Sequence, residues 1–252
     1  MYSESGKYLV EVCFSPLSWP LYDREDAVVV VTDIFRASTA MVAAFHNGVK
    51  SIIPVSEISE SEEYKRKGYI VAGERDGKKL DCADFGNSPF NFLEPNLKGQ
   101  TICMNTTNGT QALKAVAHGN NEVVIGAFIN ISAVARYVMA QKKPVVIFCA
   151  GWKNRFSMED TLFAGALVEK LLAEGRGEYF TNCDPAIASA DLWLLAKGNP
   201  MEYIEKAAHR HRLRRMGLDD IIEFSLTEDF TSVVPVLRGT KLVDATLEGI
   251  AG

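Results

Sequence analysis

Short runs of apolar, often β-branched residues alternate along most of the chain with longer polar or amphipathic segments, and this alternation predicts strands separated by helices. The clearest run is residues 28–33, where Val28 to Val31 are consecutive valines and Asp33 follows. Such a run is too β-branched for a helix start and reads as a strand buried on both faces. Residues 40–47 have helical composition, Ser38-Thr39 can cap them, and Gly48 closes them. Further strands are predicted over 8–14, 50–55, 69–72, 100–104, 122–125 and 145–149. Helices are predicted over 57–67, 111–117 and 130–141, and from about 159 to Gly175.

Beyond that point the alternation fades. Residues 185–197, 201–216 and 218–224 read as helices, and 233–237 with 241–244 as a closing strand hairpin. Residues 76–89 hold too many Gly, Asp and Lys for regular structure, and a loop of that length in a compact domain is often functional. No repeat, low-complexity segment or linker interrupts the pattern. The expectation is one α/β domain over 1–252 with a largely parallel central sheet and helices on both faces; the late strands would make it mixed.

Composition narrows the function classes. The chain has 252 residues, 47% of them hydrophobic, enough for a sizeable core. A net charge of -5 gives no global electrostatic case for nucleic acid or an anionic membrane. No apolar run approaches the ~20 residues of a membrane span, and the first residues carry no apolar signal segment. Five scattered cysteines without a C-x-x-C argue against a disulfide framework or a zinc site and fit a reducing cytoplasm. A homodimer is left open. An anionic substrate would need local cations or a metal.

The chemistry-bearing residues follow the predicted strands. Asp33 and Arg36 follow the first long one, Glu74 and Arg75 the third, and 105–110 (Asn-Thr-Thr-Asn-Gly-Thr) the fourth; Gly151 and then Glu159-Asp160 follow the strand at 145–149. In an open α/β sheet with parallel strands those carboxyl ends share one edge, where ligands bind. Thr106, Thr107, Asn108, Gly109 and Thr110 form the best anion-binding candidate, since Gly109 permits close backbone approach and a helix amino terminus follows. Arg36 and Arg75 can each grip a phosphate or carboxylate bidentately, or pair with Asp33 and Glu74. Asp33, Glu74, Glu159 and Asp160 are hard oxygen donors suited to Mg²⁺, which takes only one or two protein carboxylates, so some of the four must do other work; capping is open for Glu159-Asp160.

Cys149, five residues, then Arg155 matches the C-x5-R loop of cysteine-dependent phosphatases, but the interior Trp152-Lys153-Asn154 is bulky for a phosphate cradle, and a buried core cysteine is the favoured reading. The run 209–215 (His-Arg-His-Arg-Leu-Arg-Arg) could add cations to an anion pocket or touch nucleic acid; the acidic whole favours a solvated face. His46 and His118 stand near helix ends, where the dipole suits histidine.

Taken together, Asp33-Ile-Phe-Arg-Ala-Ser-Thr39, Gly73-Glu-Arg75, Phe85-Gly-Asn-Ser-Pro89 (with Asn87 and Ser88), Thr106-Thr-Asn-Gly-Thr110, Cys149-Ala-Gly151 and Glu159-Asp160, in this order, resemble the 2-phosphosulfolactate phosphatase family. Departures are Ser38 where the family often has threonine, a bulkier Ile34-Phe35, and Arg155. The resemblance implies a three-layer α/β/α fold and a Mg²⁺-dependent phosphohydrolase that converts 2-phospho-3-sulfolactate to 3-sulfolactate and phosphate, a step toward coenzyme M. Such a small anionic phosphorylated substrate needs several cations at once. Mg²⁺ held by Asp33 or by Glu159 and Asp160, together with Arg36, Arg75 and the amides near Thr110, would supply them, and a carboxylate would orient the attacking water.

Overall fold

Val28 to Val31 do form a strand buried on both faces, each no more than 1% exposed, with neighbours on either side. The computed structural model describes residues 6–117 and 120–248; His118 and the chain ends lie outside them. The strands are β1 (Tyr8–Cys13), β2 (Val28–Thr32), β3 (Ser51–Val55), β4 (Ile70–Arg75), β5 (Lys78–Lys79), β6 (Thr101–Asn105), β7 (Glu122–Ile125), β8 (Val145–Cys149), β9 (Tyr179–Phe180), β10 (Pro235–Arg238) and β11 (Lys241–Asp244). The helices are α1 (Ala37–His46), α2 (Ile58–Arg66), α3 (Gly109–Val116), α4 (Ile131–Gln141), α5 (Met158–Glu174), α6 (Asp184–Ala196), α7 (Pro200–Ile204), α8 (Ala208–Arg215) and α9 (Asp220–Leu226).

The strands make one mostly parallel sheet in the order β5-β4-β6-β3-β11-β10-β7-β2-β8-β1-β9, with helices packed around it. Two parallel blocks, β4-β6-β3 and β7-β2-β8-β1-β9, flank the β10–β11 hairpin. The hairpin is antiparallel within itself and to both neighbours, β3 and β7. It therefore sits in the middle of the sheet. Its three antiparallel steps give the two blocks nominally opposite directions, so the carboxyl ends of β2 and β6 do not share one edge in the simple way an all-parallel sheet would provide. Neighbouring strands rotate by roughly 20–25°, which accumulates to about 100–125° over the five steps from β2 to β6. The twisted sheet brings the two ends together: a Cβ placed on Gly109, after β6, would lie 3.1 Å from Asp33 Oδ2, after β2.

Several boundaries differ from the pattern for local reasons. Helix α1 starts at Ala37 because the Ser38 and Thr39 side chains fold back onto the turn instead of preceding the helix: Asp33 N–H donates to Ser38 Oγ (2.8 Å) and Thr39 Oγ1 donates to Ile34 O (2.9 Å). Strand β4 runs on through Glu74 and Arg75 because the two-residue strand β5 folds back and pairs with them. The predicted helix over 201–216 is broken, since Ala207 is extended (φ -74°, ψ 138°). The break re-aims α8, and that matters for the site.

Candidate active site

Two turns that begin helices meet at one cavity. The turn after β2 carries Asp33 and Arg36 and leads into α1; the turn after β6 carries Asn108 and leads into α3. Helix amino termini favour anions, so both turns suit an acidic ligand. Gly109 is required by proximity: its added Cβ would also fall 2.6 Å from Ala37 Cβ. The cavity measures about 220 Å³, and α8 closes it with His209, Arg212 and Arg215.

Asp33 is 7% exposed and its carboxylate accepts the Ala37 N–H at the start of α1. Burial raises its pKa to about 6, His209 opposes that, and the charges of Glu74 and Glu159 add to it. Arg36 is also only 7% exposed and lines the cavity, yet among the described residues its guanidinium has no hydrogen bond and no ion pair, its backbone carbonyl alone accepting the Ala40 N–H (2.9 Å). Burial lowers its pKa, against the nearby charges of Glu74, Asp33 and Asp220. Asn87 is buried against the same cavity, and its Oδ1 lacks a hydrogen-bond partner among the described residues. A buried guanidinium and a buried carbonyl oxygen left without partners cost free energy; an anion can offset the first, and a hydroxyl, water or cation the second.

Glu74 faces the cavity but also ties the turn after β4 to the turn after β6. Its Oε1 accepts Thr107 N–H (2.7 Å), and its Oε2 accepts Gly77 N–H (2.7 Å) and Thr107 Oγ1–H (3.0 Å). Thr106 and Thr110 bind each other: Thr110 N–H donates to Thr106 Oγ1 (3.1 Å) and Thr106 N–H to Thr110 Oγ1 (3.2 Å). Of residues 106–110, only Asn108 lines the cavity, with its Oδ1 accepting Lys153 N–H (3.0 Å). Arg75 turns away and donates to Ser56 O (3.0 Å) and Asn105 Oδ1 (2.9 Å), bracing the turn after β3. Ser88 and Gly151 do not line the cavity; Gly151 has φ +65°, and a Cβ there would sit 2.3 Å from Arg155 O.

The acidic pair at the start of α5 splits into two roles. Asp160 accepts Ile34 N–H (2.8 Å) and Gly151 N–H (3.0 Å), one amide on each oxygen, and so clamps the turn after β2 to the turn after β8. Burial, then the charges of Glu159 and Asp33, push its carboxyl well above the usual range. With both oxygens on backbone amides and no face on the cavity, Asp160 is placed to hold the turns and not a metal. Glu159, 2% exposed, receives His209 Nδ1 at 2.5 Å. Burial works against its charge, but the imidazole holds its pKa below the ordinary value. Among the described residues no group of three or more His, Cys, Asp or Glu converges as a metal cage. Of the three carboxylates on the cavity, Glu74 is engaged by Thr107 and Gly77 and Asp76 by Lys153, so Asp33 is the donor that would fit a Mg²⁺ ion, with substrate oxygens and waters to complete the shell.

Cys149 is fully buried in β8, burial pushes its thiol well above the ordinary value, and it does not line the cavity, so it cannot present the thiolate that a cysteine phosphatase needs. Arg155 lines a neighbouring hollow with Trp152 and Glu159.

The basic run is where the sequence reading falls short. Its favoured solvated face is true of only part of it: exposed Arg214 and buried Arg210 pair with Glu205 and Asp219, whereas His209, Arg212 and Arg215 lie on the cavity side. Spacings of three residues from 209 to 212 to 215 mark one helix face and are the signal that could have shown it. Trp152 belongs to the same wall, its ring 5.2 Å from that of His209.

A sequence profile of the 2-phosphosulpholactate phosphatase family matches residues 13–240. The chain is 39% identical over 220 residues to a probable 2-phosphosulfolactate phosphatase of Caldanaerobacter subterraneus subsp. tengcongensis, covering 86% of this chain and 90% of that one. It is 35% identical over 230 residues to a protein of the same description from Thermotoga maritima, covering 91% and 95%, and 34% identical over 211 residues to one from Gloeobacter violaceus, covering 82% and 86%. The match runs through every turn that builds the cavity, and the chain belongs to the 2-phosphosulpholactate phosphatase family, a family of phosphoric monoester hydrolases.

Proposed function

We propose that this cavity hydrolyses 2-phospho-3-sulfolactate, or a small phosphate ester with the same anionic groups, to the alcohol and phosphate. The observation that carries the reading is Arg36: a guanidinium buried beside Asp33, facing the cavity, with no partner among the described residues. A phosphoryl group would provide the bidentate acceptor it lacks and would lie over the start of α1. The family and the names of the relatives point the same way.

Arg36 would hold the phosphate and stabilise charge on its oxygens as the ester bond breaks. Asn87 would donate through its amide and fix the orientation. Asp33, with its pKa raised by burial to about 6, stands mostly ionised at neutral pH, able to hold a divalent cation or to take a proton from attacking water. Mg²⁺ bound there would draw charge from the phosphate oxygens. The α8 wall would shield the reaction from bulk water. Phosphate release from 2-phospho-3-sulfolactate, phospholactate and simpler esters, with and without Mg²⁺, tests the assignment: turnover that favours the sulfonated ester and needs the cation supports it, and release from none of them removes it. The stereochemical course at a chiral phosphorus separates direct attack by water, a single displacement that inverts configuration, from an aspartyl-phosphate on Asp33, whose two displacements retain it.

A further inference from the structure

We propose that Arg212 sets substrate specificity by receiving a second oxyanion, carboxylate or sulfonate, on the carbon skeleton of the phosphate ester. The proposal rests on the reading of the cavity as a phosphatase site and adds to it the residue that reads the rest of the substrate. Helix α8 carries four arginines, and Arg210 and Arg214 are already engaged by Glu205 and Asp219. Arg212 has no ion pair among the described residues, and its buried Nε lacks a hydrogen-bond partner. Its guanidinium carbon lies 4.4 Å from the Trp152 ring centroid, so the indole covers one face and leaves the N–H edge to work with.

The acid that acts on its charge makes no ion pair with it. Glu159 is close enough to act on the Arg212 charge, but its Oε1 is taken by His209 Nδ1 at 2.5 Å. Arg212 thus remains a stacked, partly desolvated cation on the cavity wall contributed by α8, while Arg36 occupies the turn after β2. Arg36 and Arg212, buried or half-buried on separate elements, suit a short ligand that is anionic at both ends, while Arg215, also on the cavity and without an ion pair among the described residues, is exposed to water. A fork that is flat and stacked would bind a carboxylate or sulfonate edge-on through two N–H groups. An alkyl phosphate without a second anionic group would engage only Arg36. A second hollow of about 370 Å³ shares Trp152, His209 and Arg212, so the same guanidinium stands between the reacting cavity and its surroundings.

The test compares Arg212→Gln and Arg212→Lys with the wild-type enzyme on three esters: 2-phospho-3-sulfolactate, phospholactate and isopropyl phosphate. Losing a charge-assisted contact should lower kcat/KM of Arg212→Gln by about 10- to 100-fold for the acid-bearing esters, mainly through KM. Isopropyl phosphate should change by less than about 3-fold, roughly the limit of an indirect effect. Arg212→Lys should recover part of the loss and keep the wild-type melting temperature. A loss with phosphosulfolactate alone assigns the group to sulfonate; an equal loss with phospholactate assigns it to carboxylate. An equal fall on all three esters, or no fall on any, overturns the proposal. If Arg212→Gln does not fold, the Arg212→Lys ratios and its inhibition by free sulfolactate decide in the same way. A wild-type enzyme that ignores phosphosulfolactate but cleaves the other two would refute the substrate assignment, and the phospholactate to isopropyl phosphate ratio would still decide the role of Arg212.

Discussion

Gly109 and Asp33 touch across the join between two sheet blocks: any Cβ on Gly109 would lie 3.1 Å from Asp33 Oδ2 and 2.6 Å from Ala37 Cβ. The absence of one side chain lets the starts of α1 and α3 share a cavity floor. Gly109→Ala should force the two turns apart, with an overpacking cost of about 1–3 kcal/mol. Urea unfolding measures that cost, and kcat/KM should fall more than the stability change explains because Asp33 and Asn108 move relative to one another. Unchanged activity would show that the close approach is packing only.

Asp160 predicts a different pattern. It holds the Ile34 and Gly151 amides, and its removal leaves two buried donors unpaired. Asp160→Ala should cost about 2–4 kcal/mol in chemical denaturation. It should also loosen the turn that carries Asp33 and Arg36, so that activity falls even where the variant is folded. If Asp160 served only as a metal ligand, excess Mg²⁺ would restore the activity; the clamp account predicts no such rescue.

Much of this was legible in the chain, for physical reasons that can be named. Val28 to Val31 disclose a strand with apolar neighbours on both faces, and the Asp33–Arg36 and Gly73–Arg75 spacings place acids and arginines at strand ends. Three things were not legible. Arg75 and Glu74 are adjacent and lie on opposite faces of β4, so only one of them can reach the cavity, and no local pattern says which. The β10–β11 hairpin enters the middle of the sheet through single-residue pairings with β7 and β3, a long-range choice without a local signature. The break at Ala207, which turns His209 and Arg212 inward, falls within an unbroken helical composition.

The titration of Asp33 has a signed consequence for stability. Its folded pKa is about 6 against an ordinary value of 3.8, so the native state holds the proton more tightly than the unfolded chain. That contribution is full below about pH 4 and is lost as the pH rises through about 6. Asp33→Asn removes the burden, so in a chelator it should match the wild-type protein near pH 4 and exceed it above pH 6 by on the order of 3 kcal/mol. Thermal unfolding of both proteins across this window measures the difference. The stabilised variant should be inactive, as expected where a strained group is kept for function. A difference that grows toward low pH would reverse the sign and reject the assignment.

Cys149 lies in the core with its thiol pKa raised by burial. Cys149→Ala should keep kcat/KM within about 3-fold of wild type while costing about 1 kcal/mol for the small cavity it leaves. Thiol alkylation should likewise leave the native enzyme active. Loss of turnover in a Cys149→Ala protein of near-native stability would bring back a cysteine mechanism.

The unpaired guanidinium of Arg36 is the centre of the cavity's claim on phosphate. The decisive measurement is phosphate release from 2-phospho-3-sulfolactate with Mg²⁺ by wild-type protein and by Arg36→Ala, alongside the melting temperature of each. Removing a buried, partnerless cation should leave the melting temperature unchanged or higher, while loss of the charge-assisted grip on the transferred group should lower kcat/KM by about 10²–10³. Equal turnover by the two proteins, or a variant that melts well below the wild type and loses activity only in proportion, would show that Arg36 supports the fold and that the cavity is not where phosphate is held.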